Sequence, residues 1–251
     1  MKVPSRRIPR AKNPSPKLNS LEVGLTAGLV FIPRQSTLSQ KRMPSALILD
    51  FDGLILDTET ALLDGWDKVH TDHGLKFDRE AGSQVIGHHG VHYDPWSEFP
   101  AITDRSQLEA EFEVTKREIV RHQPILPGVL ALLELAEHKG IPCAVASNSH
   151  HPHVDGHLKR LGLFERFQTV VCRDDVPEPK PAPDVYLATC AQLGVSAQDA
   201  IAFEDSAPGH LAAHRAGITV IVVPNPSTRG RAFPHAHRIL DSLADFNLGD
   251  I

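Results

Sequence analysis

Two acids stand two residues apart in Asp50-Phe51-Asp52-Gly53, directly after the apolar run Ala46-Leu47-Ile48-Leu49. Such a run reads as a buried parallel strand. Both carboxylates then fall at its carboxyl end, where open α/β sheets bind their ligands. Gly53 allows a tight backbone turn, and an Asx turn that only closes the strand is the structural alternative. Glu204-Asp205-Ser206 follows a second apolar run, Ala200–Phe203. Two acidic clusters at one sheet edge repel unless a cation binds between them. Oxygen-only donors point to Mg²⁺, which takes one or two carboxylates and keeps its waters. Zinc fits poorly, because no Cys or His stands at ligand spacing beside these acids.

Two further groups complete the pattern. Ser147-Asn148-Ser149 follows the run Ile141–Ala146. A hydroxyl with free backbone N–H groups ahead of a helix forms an anion cradle. Lys180 lies in Pro179-Lys180-Pro181-Ala182-Pro183, where flanking prolines stiffen the backbone that aims its ammonium. Taken singly, Ser147 and Lys180 read as turn or surface residues. Their joint placement at successive strand ends argues for one site.

The elements that must position these groups follow from periodicity. Strands are predicted over Ala46–Leu49, Ile141–Ser147, Thr169–Cys172, Ala200–Phe203 and Thr219–Val223. Between them, Val129–Glu137, the repeat Val154, Leu158, Leu161, and the segments Pro183–Leu193 and Pro208–Ala216 read as helices. Short links between alternating strands and helices predict a doubly wound parallel α/β sheet. Residues 61–123 break the alternation. Leu62, Trp66 and Val69 mark one helix, and Leu108, Phe112, Thr115 and Ile119 another. The expectation is an all-helical insertion, a cap, on a core made of 44–60 and 124–251. Beyond Val223 a loop and a final short helix are expected.

The chain has 251 residues, 41% of them apolar, and a net charge of -5. That charge disfavours a DNA-binding domain, and no apolar run is long enough for a transmembrane helix. The three cysteines, Cys143, Cys172 and Cys190, form no disulfide framework and read as small apolar residues. The charge is unevenly spread. Residues 1–45 carry nine Lys or Arg and one acid, Glu22. Residues 1–43 read as a basic extension that cannot fold alone. Three origins fit it: a disordered tail, an organellar targeting segment, or a true start at Met43. The remaining chain is expected to be a cytoplasmic monomer or weak dimer.

In the pieces DFDGLILDTE (50–59), SNS (147–149), KPAPDVY (180–186) and EDSAPGHLAAHRAG (204–217), the chain resembles the haloacid dehalogenase-like hydrolases. The match is to the subgroup with a helical cap after the first strand, which includes β-phosphoglucomutase and sugar-phosphate phosphatases. The resemblance implies a Rossmann-like core, a mobile cap, Mg²⁺ dependence and an aspartyl-phosphate intermediate. It makes Asp50 the nucleophile and Asp52 the general acid/base. Ser147 and Asn148, with Gly53, would receive the phosphoryl group, and Lys180 would neutralise it. Asp205 would hold Mg²⁺ with Glu204, Asp50 and Asp52.

Within that family the sequence favours phosphomonoester hydrolysis of a small phosphorylated metabolite, foremost a sugar or polyol phosphate. Halide displacement needs neither Mg²⁺ nor a proton donor. Phosphonate cleavage would want a cap amine, for which Lys68 and Lys76 are the candidates, but solvated lysines are the plainer reading. A mutase must grip a second phosphate with a cation, and the cap loop Ile86–His92 contains no Lys or Arg. A non-catalytic binding protein should have lost one of Asp50, Asp52, Lys180 or Asp205, and all are present. His88, His89, Tyr93 and Trp96 are candidates for substrate contact, with a plain surface loop or packing onto the cap helices as the alternative. His150, His151, His153 and His157 are expected in surface or helix-cap roles.

Overall fold

The computed structural model describes residues 43–84 and 93–250. Strands β1 (Ala46–Leu49), β2 (Cys143–Ala146), β3 (Thr169–Val171), β4 (Ala200–Glu204), β5 (Thr219–Val222) and β6 (Arg238–Ile239) form one sheet in the order β3-β2-β1-β4-β5-β6. Every pairing is parallel. The chain runs outward from β1 to β3, then crosses back to lay β4 beside β1. The order therefore reverses between β1 and β4, and the crevice for ligands lies outside their carboxyl ends.

β1 shows why the sheet needs covering on both faces. Leu47 and Leu49 join one apolar cluster, with Val129, Leu132 and Leu133 of α4 (Val129–Lys139) and Val154 and Leu158 of α5 (His151–Arg160). Ala46 and Ile48 join another, with Val185 and Tyr186 of α6 (Asp184–Leu193) and Ala212 and Ala213 of α7 (Ala207–Arg215). Alternate side chains point to opposite faces, so a continuously apolar strand needs helices on each. Truncating such a residue, Leu133→Ala for example, costs about 2–5 kcal/mol. The register places Leu49 between Val145 and Phe203, which aligns the ends of β1, β2 and β4.

Among the described residues, the elements between β1 and α4 are helices: α1 (Thr58–Asp72), α2 (Arg79–Ser83) and α3 (Arg105–His122). They share their own apolar cluster of Leu63, Trp66, Val69, Phe77, Trp96, Leu108 and Phe112. α2 is absent from the sequence reading. At five residues it shows no period, and its one signal is Asp78, whose side chain accepts from Ala81 N. The C-terminal expectation needs correction. After β5 the chain adds the two-residue edge strand β6, and the remainder forms 3₁₀ turns, with no α-helix among the described residues. β6 is held by His237 N to Val220 O and Leu240 N to Val222 O, each 2.8 Å. Both its residues are exposed, so no apolar alternation announces it. No helix among the described residues is long and apolar enough to cross a membrane.

Candidate active site

Asp50 leaves β1 buried at the sheet mouth, where its N–H donates to Phe203 O of the neighbouring strand. Lys180 arrives from the loop before α6 and is almost wholly enclosed. Its Nζ donates to Asp50 Oδ1 at 2.5 Å, Glu204 Oε1 at 2.6 Å and Ala146 O at 2.8 Å. The ammonium also sits over the Tyr186 ring, 5.0 Å from its centroid. Burial alone would lower the Lys180 pKa, but the Asp50 and Glu204 carboxylates more than reverse it, so the ammonium stays charged. Asn148 sets the backbone of this lysine. Its Oδ1 accepts from Lys180 N at 2.7 Å, and its Nδ2 donates to Lys180 O. The side chain of Asn148 is thus placed on Lys180 rather than toward the mouth.

Glu204 and Asp205 end β4, both essentially without exposure. Glu204 Oε1 also accepts from Tyr186 OH at 2.6 Å, and Oε2 accepts from Ser206 Oγ at 3.1 Å. The first turn of α7 closes so tightly on Glu204 that a Cβ at position 209 would collide with its carboxylate, which requires Gly209. Gly53 is equally constrained. Its φ of +82° suits glycine, and a Cβ there would strike Asp205 Oδ2 and Asn225 Nδ2. Asn225 donates to both Asp205 Oδ2 and Glu59 Oε2 at 2.7 Å. Burial pushes the Glu59 carboxyl up to about 7 despite that bond.

Asp50, Glu204 and Asp205 converge closely enough to share a metal ion. Burial raises Asp50 and Asp205 well above the ordinary carboxylate range, with Lys180 opposing and the neighbouring acids adding to the rise. Once all three are ionised they exceed the one buried ammonium by two negative charges, which a single divalent cation would offset. The donors are oxygens only, so the residues fit Mg²⁺.

Asp52, also expected among the metal ligands, instead spends its carboxylate on three donors. Thr58 Oγ1 and His153 Nε2 reach Oδ1 at 2.7 and 2.9 Å, and Ser149 Oγ reaches Oδ2 at 2.6 Å. Burial disfavours the Asp52 anion, but these bonds outweigh it and hold the carboxyl below its usual range. The same contact raises His153 against the opposing effect of burial. Ser147, buried after β2, accepts from Ser149 N at 3.0 Å and so shapes the turn.

The structure therefore brings together Asp50, Asp52, Gly53, Ser147, Asn148, Lys180, Glu204 and Asp205. Tyr93 and Trp96 stand apart. Trp96 is buried against His70, Phe99 and Phe112, and Tyr93 packs on Trp66 and Phe77. The cavity they line includes none of Asp50, Asp52, Glu204 and Asp205. His88 and His89 lie outside the described residues. Sequence reading missed Asn225, His153 and the supporting roles of Thr58, Glu59, Ser149 and Tyr186. The last four do lie within the quoted motifs.

A family model for haloacid dehalogenase-like hydrolases matches residues 47–223. The Bacillus subtilis (strain 168) protein YhcW is 36% identical over 210 residues, 82% of this chain and 95% of YhcW. An Arabidopsis thaliana protein named (DL)-glycerol-3-phosphatase 1, mitochondrial, is 30% identical and covers 96% of this chain and 89% of its own length. Among solved structures, CbbY from Rhodobacter sphaeroides in complex with phosphate superposes with a TM-score of 0.66 at 28% identity. That match spans 81% of this chain and 96% of CbbY.

Proposed function

We propose that this chain, which belongs to the haloacid dehalogenase-like hydrolase family and is a phosphatase of small phosphorylated compounds, acts on a sugar or polyol phosphate through a phosphorylated Asp50. The observation that carries the reading is the Asp50 carboxylate locked on Lys180, beside Asp205 and two residues before the hydrogen-bonded Asp52. Likeness to a glycerol-3-phosphatase supports the polyol class.

Each step assigns work to residues of this chain. Asp50 attacks phosphorus, and its fixed carboxylate needs little reorganisation to do so. Lys180 offsets charge on the transferring group and keeps Asp50 from swinging away. Asp50, Glu204 and Asp205 would hold Mg²⁺, with Asp52 at the adjoining turn. When bound, the ion supplies electrostatic relief for an anionic nucleophile meeting an anionic phosphoryl group. Ser147 Oγ and the N–H groups of its turn receive the phosphoryl oxygens. Asp52, ionised in the free site, takes up a proton as the anionic phosphoryl group binds beside it. It passes that proton to the leaving oxygen, then takes one from the water that opens the acyl phosphate. His153, 2.9 Å from Asp52, holds that carboxylate in place through both halves.

The test is phosphate release from sugar, polyol, nucleotide and two-carbon phosphates, with and without EDTA. The expected result is Mg²⁺-dependent turnover highest on sugar or polyol phosphates and absent in Asp50→Asn. No release from any ester by folded protein would overturn the reading. Isomerisation of a sugar phosphate in the presence of a bisphosphate would then favour the mutase alternative.

A further inference from the structure

The turn that carries Ser147 and Ser149 leads into α5, whose first residues place His151 and Asp155 four apart on one helix face. Cys172, directly after β3, is fully buried. His151 Nδ1 lies 3.2 Å from Asp155 Oδ1. One ligand atom from each of His151, Asp155 and Cys172 lies within 4.8 Å of the others. Hydrolysis at Asp50 uses none of the three. The other imidazole nitrogen, Nε2, is 2.8 Å from Asp175 Oδ2. A carboxylate only accepts, so Nε2 carries the proton, and Nδ1 can offer its lone pair once a cation replaces the contact with Asp155.

We propose that His151, Asp155 and Cys172 form a second cation site, for a borderline-soft divalent ion of the zinc class, with Asp175 orienting the imidazole. The donor set decides the class. Sulfur, nitrogen and oxygen together suit zinc-like ions and reject Mg²⁺, which stays with the all-oxygen cluster at Asp50. Tetrahedral coordination at ordinary zinc bond lengths separates ligand atoms by about 3.4–3.6 Å. His151 and Asp155 already stand near that spacing, and the Cys172 sulfur lies within 4.8 Å of both, so a small side-chain adjustment completes the set. On binding, the Cys172 thiol releases its proton to solvent and its sulfur takes the ion. The half-exposed His151 and Asp155 leave a fourth position for water. Such an ion would pin α5 to the end of β3. Arg173 N already donates to Ser149 O at 3.0 Å, so the serine turn belongs to the same strap. The competing arrangement has no metal: His151 protonated on both nitrogens and clamped between Asp155 and Asp175.

Titrating the full-length protein with Co²⁺, with Mg²⁺ in excess to occupy the oxygen cluster, separates the two. The expected result is a near-ultraviolet thiolate-to-cobalt band that saturates at one equivalent and is bleached by Zn²⁺. The band should vanish in His151→Ala and Cys172→Ser and persist in Cys190→Ser. Asp175→Asn should weaken Co²⁺ binding about 10–100-fold. A wild-type titration without a sulfur band, or a band that survives His151→Ala, overturns the proposal. Should Cys172→Ser lose its fold by circular dichroism, His151→Ala at its half-exposed position decides alone.

Discussion

The strand-end site and the helical insertion are both well packed, but by different means. At the sheet mouth, Lys180, Asp50, Glu204, Tyr186 and Asn148 are fixed by short hydrogen bonds between groups far apart in the chain. In the insertion, Trp66, Phe77, Trp96 and Phe112 pack ring on ring, and its ion pairs lie at the surface, as Lys68–Asp72 and Arg79–Asp64 do. Directional bonds fix an atom's position, whereas apolar packing fixes mainly volume. The first region is therefore built for one chemistry, and the second tolerates changes in the side chains that fill it.

Substitutions should separate the two regions, beginning with the largest effect. Asp50→Asn removes the nucleophile without changing volume, and kcat should fall about 10⁴-fold or more with the fold intact. Residual turnover well above that would move the nucleophile elsewhere. Lys180→Met strands Asp50 and Glu204 as buried, unpaired carboxylates. It should abolish turnover and cost about 3–5 kcal/mol in denaturant unfolding. Trp96→Ala should cost about 3 kcal/mol from the aromatic cluster. Its kinetic signature should be a raised KM with kcat largely kept, and a collapse of kcat instead would erase the contrast between the regions.

What was legible in the sequence follows the same division. β1, β2, β4 and β5 are near-continuous apolar runs because both faces are covered, and their polar ends stand out against them. Asp50, Ser147, Lys180 and Asp205 were readable for that reason. β6 and α2 are too short to carry a period. Asn225 and His153 escaped because their contacts span long separations, His153 to Asp52 across 101 positions. No local pattern encodes such a convergence. For Tyr93 and Trp96 the sequence leaves substrate contact and packing onto the cap helices both open, and the structure places them in the packing of the insertion.

Two smaller effects sharpen the electrostatic side. Glu59 has an ordinary value of 4.5 and is raised by burial to about 7. The folded state therefore holds a proton across that window that the unfolded state has lost. The Glu59 contribution to stability should fall as pH rises from 4.5 to about 7 and level off beyond. In EDTA, Glu59→Gln should remove this slope and recover on the order of 2 kcal/mol above neutrality. Urea midpoints across pH would show it, and an unchanged slope in the variant would place the titration on another group. His153→Ala should lower kcat about tenfold, or ~1.4 kcal/mol, with KM unchanged. His153→Gln should restore most of it by keeping a donor to Asp52.

Hydrolysis through Asp50 requires that this carboxylate carry the phosphoryl group for part of each turnover. Rapid quenching of the enzyme with a substrate radiolabelled in its phosphoryl group, followed by peptide mapping, tests it most directly. Acid-stable, hydroxylamine-labile label is expected on the peptide containing Asp50, absent from Asp50→Asn. Turnover without labelled protein, or label on another peptide, would contradict it.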